Sequence, residues 1–322
     1  MKTANIFQNN MVFSSHLPIR VFGEGDGFVT ASLNGEKAET YAKGTFCVTL
    51  PPMSCGGPYT LTVSSGEETL TFSDIYVGEV LLCSGQSNMQ VQVKDGDLQN
   101  EALPDNPLIR VYNCIDDPVW RLCSADTVQD FPDLPYRIAA LRQKEKGCAV
   151  GVVVCAKGAS VIKSWLPKPL ADSPAFHLSS EEEFPDHYLE GREFNAHAHL
   201  YDTAFTPIVP FSFRAVIWYQ GESDASPAEG KIYARELTAL VNVFRKNLQN
   251  ALLPFVIVQI ASYPTDWVDY AREGWASIQA AQEEAATAIP RATLVTGADV
   301  CEPLIHPRNK GALAERIAEA LG

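Results

Sequence analysis

DIYVGEVLLCSGQSNMQ, residues 74–90, is the stretch on which the reading of this chain turns. The run IYVGEVLLCS (75–84) is nearly continuous in apolar residues, as a strand buried on both faces requires. It ends in Gly85-Gln86-Ser87-Asn88-Met89, a turn-forming string that sets a serine hydroxyl at the carboxyl end of the strand. A serine there is placed as an exposed nucleophile. The string is not G-x-S-x-G, so the nucleophile elbow of the α/β-hydrolases is not the model.

Further runs of the same kind follow: LIRVY (108–112), VGVVVCA (150–156), RAVIWYQ (214–220), PFVIVQIA (254–261) and ATLVT (292–296). Between them the apolar spacing becomes helical, over 134–147, 231–250, 273–289 and 310–322. Strands alternating with helices predict a parallel sheet with helices on both faces. In such sheets function collects at the carboxyl ends of the strands. There the chain offers Lys157-Gly158-Ala159-Ser160, then Gln220-Gly221-Glu222-Ser223-Asp224, then His306 just before the last helix. Gly158 lets a backbone N–H face a ligand closely. The stretch 166–196 is long, acidic and Pro-containing, and reads as a surface excursion or lid near the site.

Before residue 75 the period is two. PIRVF (18–22), GFVTASL (27–33), TFCVTL (45–50) and YTLTVS (59–64) are separated by turn signals such as GEGDG (23–27). This predicts a small antiparallel β-sandwich over 1–74, ahead of an α/β domain over 75–322.

The chain's 322 residues can bury a large core without staples. Lys and Arg number 25 against 39 Asp and Glu, a formal charge of −14, which argues against nucleic acid and anionic membrane surfaces as partners. No run reaches the length of a membrane span. The N-terminus lacks the apolar core of a secretory signal, which points to the cytoplasm, or else to a trimmed exported protein. The eight cysteines form no C-x-x-C pair and read as small buried hydrophobes, so neither a zinc site nor a disulfide framework is expected. His197 and His199 do not share a helix face and make a poor metal pair. Trp165, Trp218 and Tyr219 read as core aromatics, Glu222 as a buried structural carboxylate, and Tyr263 as a residue placed to line the pocket.

The GQSNM and WYQGES strings, in this order and with NMVF, TLPPMSCGGPYTLTV, GASVIKSW and IHPRNK around them, resemble the sialate O-acetylesterase branch of the SGNH-type hydrolases. That branch also includes acetylxylan esterases. The resemblance covers nearly the whole chain and implies a flavodoxin-like α/β fold. It implies that Ser87 is the nucleophile and His306 the general base, with no metal or organic cofactor. The Ser87 and Gly158 N–H groups and the Gln220 amide would form the oxyanion hole. The substrate would be a small O-acetylated sugar, sialic acid in the first instance, with Arg308 the nearest cation in sequence to meet its carboxylate.

Two substitutions from the pattern are mild: Lys157 stands where the family has Gly, and Asp224 where many relatives have Asn. One departure is serious. The Asp that orients the histidine in the family is replaced by Pro303 and Leu304, and the nearest carboxylates upstream are Glu302 and Asp299. Three outcomes stay open: Glu302 orients His306, another group does, or the site is weak or silent. The alternatives are acetylated xylan or another acetylated sugar as substrate for the same chemistry, and, because the Asp is missing, a silent carbohydrate-binding relative.

Overall fold

The computed structural model describes residues 1–263 and 269–322, with the backbone alone at 269–271. Its strands, in chain order, are β1 Lys2–Thr3, β2 Val12–Ser14, β3 Ile19–Leu33, β4 Glu36–Leu50, β5 Gly56–Ser65 and β6 Glu68–Gly85, then β7 Asn106–Asn113, β8 Trp120–Cys123, β9 Val150–Ala156, β10 Ala215–Tyr219, β11 Phe255–Val258 and β12 Ala292–Val295. The helices are α1 Asp133–Lys146, α2 Lys168–Ala171, α3 Pro227–Asn247, α4 Asp269–Ala288 and α5 Gly311–Leu321. No helix among the described residues is long and apolar enough to cross a membrane.

The fold is mixed α/β. The parallel strands lie in the order β7-β9-β6-β10-β11-β12, with β8 antiparallel on the outside of β7. Successive residues of a strand point to opposite faces, and here the two faces feed two cores. Leu81, Cys83, Val152, Val154 and Ile217 pack with α1 and α5. Val80, Leu82, Val153, Trp218 and Ile257 pack with α3 and α4. Helices therefore cover both faces, as the strand–helix alternation predicts, and Trp165, Trp218 and Tyr219 are buried as expected.

The expected boundary at residue 74 falls inside a strand. β6 runs unbroken from Glu68 to Gly85, antiparallel to β5 in its first part and parallel to β9 and β10 in its second. The change is made by a bulge: the register with β5 shifts between Phe72 and Ile75, and Asp74 sits at φ 58°. Arg110, on β7, reaches this kink and donates to the Asn10 and Asp74 carbonyls at 2.9 and 2.6 Å, while pairing with the Asp74 carboxylate at 3.0 Å. GEGDG is not a turn either, since β3 continues through it and pairs with β4 from end to end. Gly23 is required because β1 crosses there: a Cβ would lie 2.1 Å from the Lys2 carbonyl oxygen.

All eight cysteines are free thiols; Cys83, Cys123 and Cys155 are buried as expected, whereas Cys47 and Cys55 are exposed. Glu79, the one charge in the apolar part of β6, is explained by Arg142 of α1. The guanidinium grips both carboxylate oxygens at 2.9 Å, and the pair is 1% and 7% exposed. Arg142 also donates to the Ala318 and Gly322 carbonyls, which ties the sheet to α1 and α5. Glu79→Ala leaves this cation with only the half-exposed Glu145, at 2.9 Å, so a loss of about 3 kcal/mol in urea unfolding, the lower end for a broken buried pair, is expected, and Glu79→Leu with Arg142→Met is expected to recover most of it.

Candidate active site

β6 delivers the serine. At Gly85, φ is 134° and a Cβ would sit 2.0 Å from the Tyr219 carbonyl oxygen, so β6 and β10 close on each other where only glycine fits. The Gln86 N–H donates to that carbonyl at 3.0 Å, and Ser87–Met89 then form a single 3-10 turn. His306, exposed in the loop between β12 and α5, brings its Nε2 to 2.8 Å from Ser87 Oγ. Residues 219 apart in sequence thus make the contact a serine nucleophile needs with its base.

They open onto a cavity of about 240 Å³ whose wall includes Gln86, Phe184, Glu222, Tyr263 and Trp275. Tyr263 lies where the sequence placed it. The 166–196 stretch contributes Phe184 and Asp186, so it does border the site. It is pinned beneath by His187, whose Nε2 lies 3.1 Å from Asp224 Oδ1, and by Asn195, which donates to the Ala159 and Asp186 carbonyls.

Gly158 lies beside the serine: a Cβ there would be 3.6 Å from Ser87 Cβ. Its N–H is taken by Gln90 Oε1 at 2.8 Å. The Ser87 N–H has no hydrogen-bond partner among the described residues. Gln220 departs from expectation. It is fully buried, its Nε2 donates to the Ser160 carbonyl at 2.9 Å and to Asp224, and its Oε1 accepts from Tyr233 at 2.8 Å. Both amide hydrogens are spent inside the protein, so the Gln220 amide is not presented to Ser87. Gln86, one residue before the nucleophile, is better placed. Its Oε1 accepts from the Gly221 and Ser223 N–H groups at 3.3 Å, its Nε2 has no partner among the described residues, and it lines the cavity. The only sequence signal for it was its place within GQSNM.

Of the three outcomes left open for His306, the one through Glu302 is not the one observed. The Glu302 oxygens accept from the Asn309 N–H at 3.1 and 3.3 Å, which closes the loop on itself and leaves the carboxylate off His306. Asp299 is engaged by Arg316. Among the described residues nothing accepts from His306 Nδ1. What links the loop to the nucleophile turn is Asn88, whose Nδ2 donates to the Ile305 carbonyl at 2.9 Å and to Glu222 Oε1 at 2.8 Å. Arg308 is exposed and does not line the cavity. His197 is hydrogen-bonded to Asp172 at 2.7 Å. Among the described residues a metal-like spacing occurs at His187, Asp224 and Glu229, where Lys163 already supplies a cation 3.6 Å from Glu229.

Burial pushes the Glu222 carboxyl up to about 7, and the hydrogen bond from Asn88 only partly opposes it. Burial also raises Asp186. The His306 imidazole is lowered from its ordinary value, first by partial desolvation and then by the nearby Lys310 ammonium. The base is therefore neutral, and able to accept a proton, down to a pH below 6.5.

Residues 77–320 match the family model of the carbohydrate esterases described as sialic acid-specific acetylesterase. The human sialate O-acetylesterase is 23% identical over an alignment of 328 positions that takes in 85% of this chain and 59% of that protein. The rat sialate O-acetylesterase is also 23% identical, over 92% of this chain and 68% of its own length. The chain thus spans about 59% of the human relative. A carbohydrate acetylesterase from Xanthomonas citri has the same fold, with a TM-score of 0.86 at 24% identity over 99% of this chain and 74% of that one.

Proposed function

The chain belongs to the sialic acid-specific acetylesterase family of carbohydrate esterases, and from that premise we propose that it is a serine esterase that removes O-acetyl groups from sialic acid. The observation that carries the mechanism is the 2.8 Å contact of Ser87 Oγ with His306 Nε2 at the cavity. With the edge strand β7 left out and β6, β9, β10, β11 and β12 numbered from one to five, the spatial order is 2-1-3-4-5, which supports a flavodoxin-like, SGNH-type core extended at one edge by β7 and β8. The antiparallel strands before it read as the sandwich part, over 1–74, with 75–322 as the hydrolase part.

Ser87 Oγ attacks the acetyl carbonyl carbon as its proton passes to His306 Nε2. The carbonyl oxygen becomes an oxyanion held by the Ser87 N–H, by the Gly158 N–H after it displaces Gln90 Oε1, and by Gln86 Nε2 in place of Gln220. His306 then returns the proton to the departing sugar oxygen. Water, deprotonated by His306, attacks the carbonyl carbon of the acetyl-serine; as the bond to Ser87 Oγ breaks, His306 returns that proton to Oγ and acetate leaves. No step needs a cofactor.

An anionic sugar enters a cavity containing Asp186 and Glu222, both of which burial biases toward the neutral form. The affinity for sialic acid esters should therefore hold at mildly acid pH and fall as Glu222 ionises around pH 7. On the acid side kcat/KM should fall only as His306 protonates, below pH 6.5. The test is acetate release between pH 5 and pH 9 from 9-O-acetylated sialic acid, acetylated xylo-oligosaccharide and p-nitrophenyl acetate. A preference for the sialic acid ester, with its KM rising above pH 7, supports the reading. A preference for the neutral oligosaccharide transfers the same chemistry to a xylan-type substrate, and absence of turnover on all three overturns the esterase assignment.

A further inference from the structure

We propose that Asn88 and Glu222 are positioning residues that hold the His306 loop against the nucleophile turn, in place of the missing carboxylate on the histidine. This rests on the Ser87–His306 reading and deepens it.

Two consecutive residues of one segment meet two consecutive residues of another. Ser87 faces His306 at 2.8 Å, and Asn88 Nδ2 faces the Ile305 carbonyl at 2.9 Å. The second contact fixes the backbone one residue before the base. The loop's other bonds nearby, Glu302 to the Asn309 N–H and Lys310 Nζ to the Pro307 carbonyl, are internal to it. The Asp97 N–H reaches the Arg308 carbonyl only at 3.4 Å. Leu304 and Ile305 are 44% and 38% exposed, so apolar packing does little to hold the loop on the N-terminal side of the base, whereas Pro307 on its other side is buried. The Asn88–Ile305 bond is therefore the shortest described hydrogen bond from outside the loop to its backbone beside His306.

Asn88 is itself held from behind. It is fully buried, Glu222 is 4% exposed, and Glu222 Oε1 accepts the second Nδ2 hydrogen at 2.8 Å. A hydrogen bond in such surroundings is stronger than in water, and its loss is correspondingly costly. Asn88 Oδ1 and Glu222 Oε2 are both buried acceptors without a partner. A proton on Glu222 would give this pair of oxygens the donor it lacks, in keeping with a carboxyl whose ionisation is delayed to about pH 7. Among the described residues the titratable groups facing Glu222 include Asp224 on its own turn, Tyr219 at the end of β10, Tyr233 on α3, Asp186 from the 166–196 stretch and His306 across the cavity.

The test uses the purified full chain, with Asn88→Ala, Glu222→Ala and Glu222→Gln beside Ser87→Ala as the control for the mechanism, each checked by circular dichroism and thermal melting. Asn88→Ala and Glu222→Ala are expected to lower kcat about 10²-fold, the effect of roughly 1 Å of misplacement, with KM within about threefold of wild type. Glu222→Gln keeps an acceptor for Asn88 and should recover most of what Glu222→Ala loses. Its pH profile should lose the inflection near 7 while the His306 limb stays. Folded Asn88→Ala and Glu222→Ala enzymes with wild-type kcat overturn the proposal. If those two variants do not fold, an unchanged pH profile in Glu222→Gln overturns it. Turnover that survives Ser87→Ala instead overturns the underlying mechanism.

Discussion

Ser87→Ala is expected to reduce acetate release by roughly 10⁴–10⁶-fold in kcat, with little change in KM. The hydroxyl is the only atom lost, and the cavity that would bind the sugar is walled by other residues. The lower end of that range applies because His306 has no described carboxylate on Nδ1, so the wild-type enzyme starts from a less strongly oriented base. His306→Ala should cost a comparable factor. The double variant should be hardly worse than either single one, since serine and histidine act as one unit. Progress curves at saturating ester measure all three. Independent, multiplying losses would mean that the 2.8 Å contact is not the working pair.

Lys163→Met is expected to be strongly destabilising. Lys163 is 2% exposed and lies 3.6 Å from Glu229 and 3.8 Å from Glu236, both fully buried on α3. None of the four carboxylate oxygens has an ordinary hydrogen-bond donor among the described residues, so compensation comes from the Lys163 ammonium, which contacts both, and from His187 opposite Glu229. Removing one partner of such a cluster costs about 3–5 kcal/mol at neutral pH. The pH sign follows from the carboxyls. Burial raises both Glu229 and Glu236 above their unfolded values, and loss of the cation raises them further. A carboxyl raised on folding gives stability below its unfolded pKa and loses it as pH climbs through the folded one. The deficit of Lys163→Met should therefore be largest near pH 8 and shrink toward pH 5, as urea unfolding at the two values would read. A deficit independent of pH would mean that the lysine acts by packing alone. His187 of the 166–196 stretch rests on Asp224, which also faces this cluster, so the same variant should loosen the cavity wall at Phe184 and Asp186.

Periodicity carried most of the fold. The parallel strands and the four long helices lie within a few residues of where apolar spacing put them, because burial on two faces or on one stripe leaves a regular mark. GEGDG misled. Glycines also serve the close approach of a neighbouring strand, and only the partner strand tells this from a turn. β8 was missed because its four residues are too few to show a period. Ser87 and His306 were legible as residues at strand and loop ends on the same edge of the sheet. Side-chain direction was not. Gln220 and Glu302 occupy plausible positions in the sequence, yet one turns inward to Asp224 and Tyr233 and the other closes its own loop on Asn309. Asn88 and Gln86 stood inside the quoted motif without a role, since nothing in sequence spacing says which neighbour a carboxamide will find.

The central claim is that Ser87 is the nucleophile and His306 its base. The most direct measurement is to treat the enzyme with a p-nitrophenyl alkylphosphonate, which a serine attacks at phosphorus with release of p-nitrophenolate, and to map the adduct by peptide mass spectrometry. The adduct should fall on the peptide containing Ser87, abolish acetate release in proportion to its yield, and form far more slowly in His306→Ala. An adduct on another residue, or full turnover by enzyme already modified at Ser87, would contradict the account.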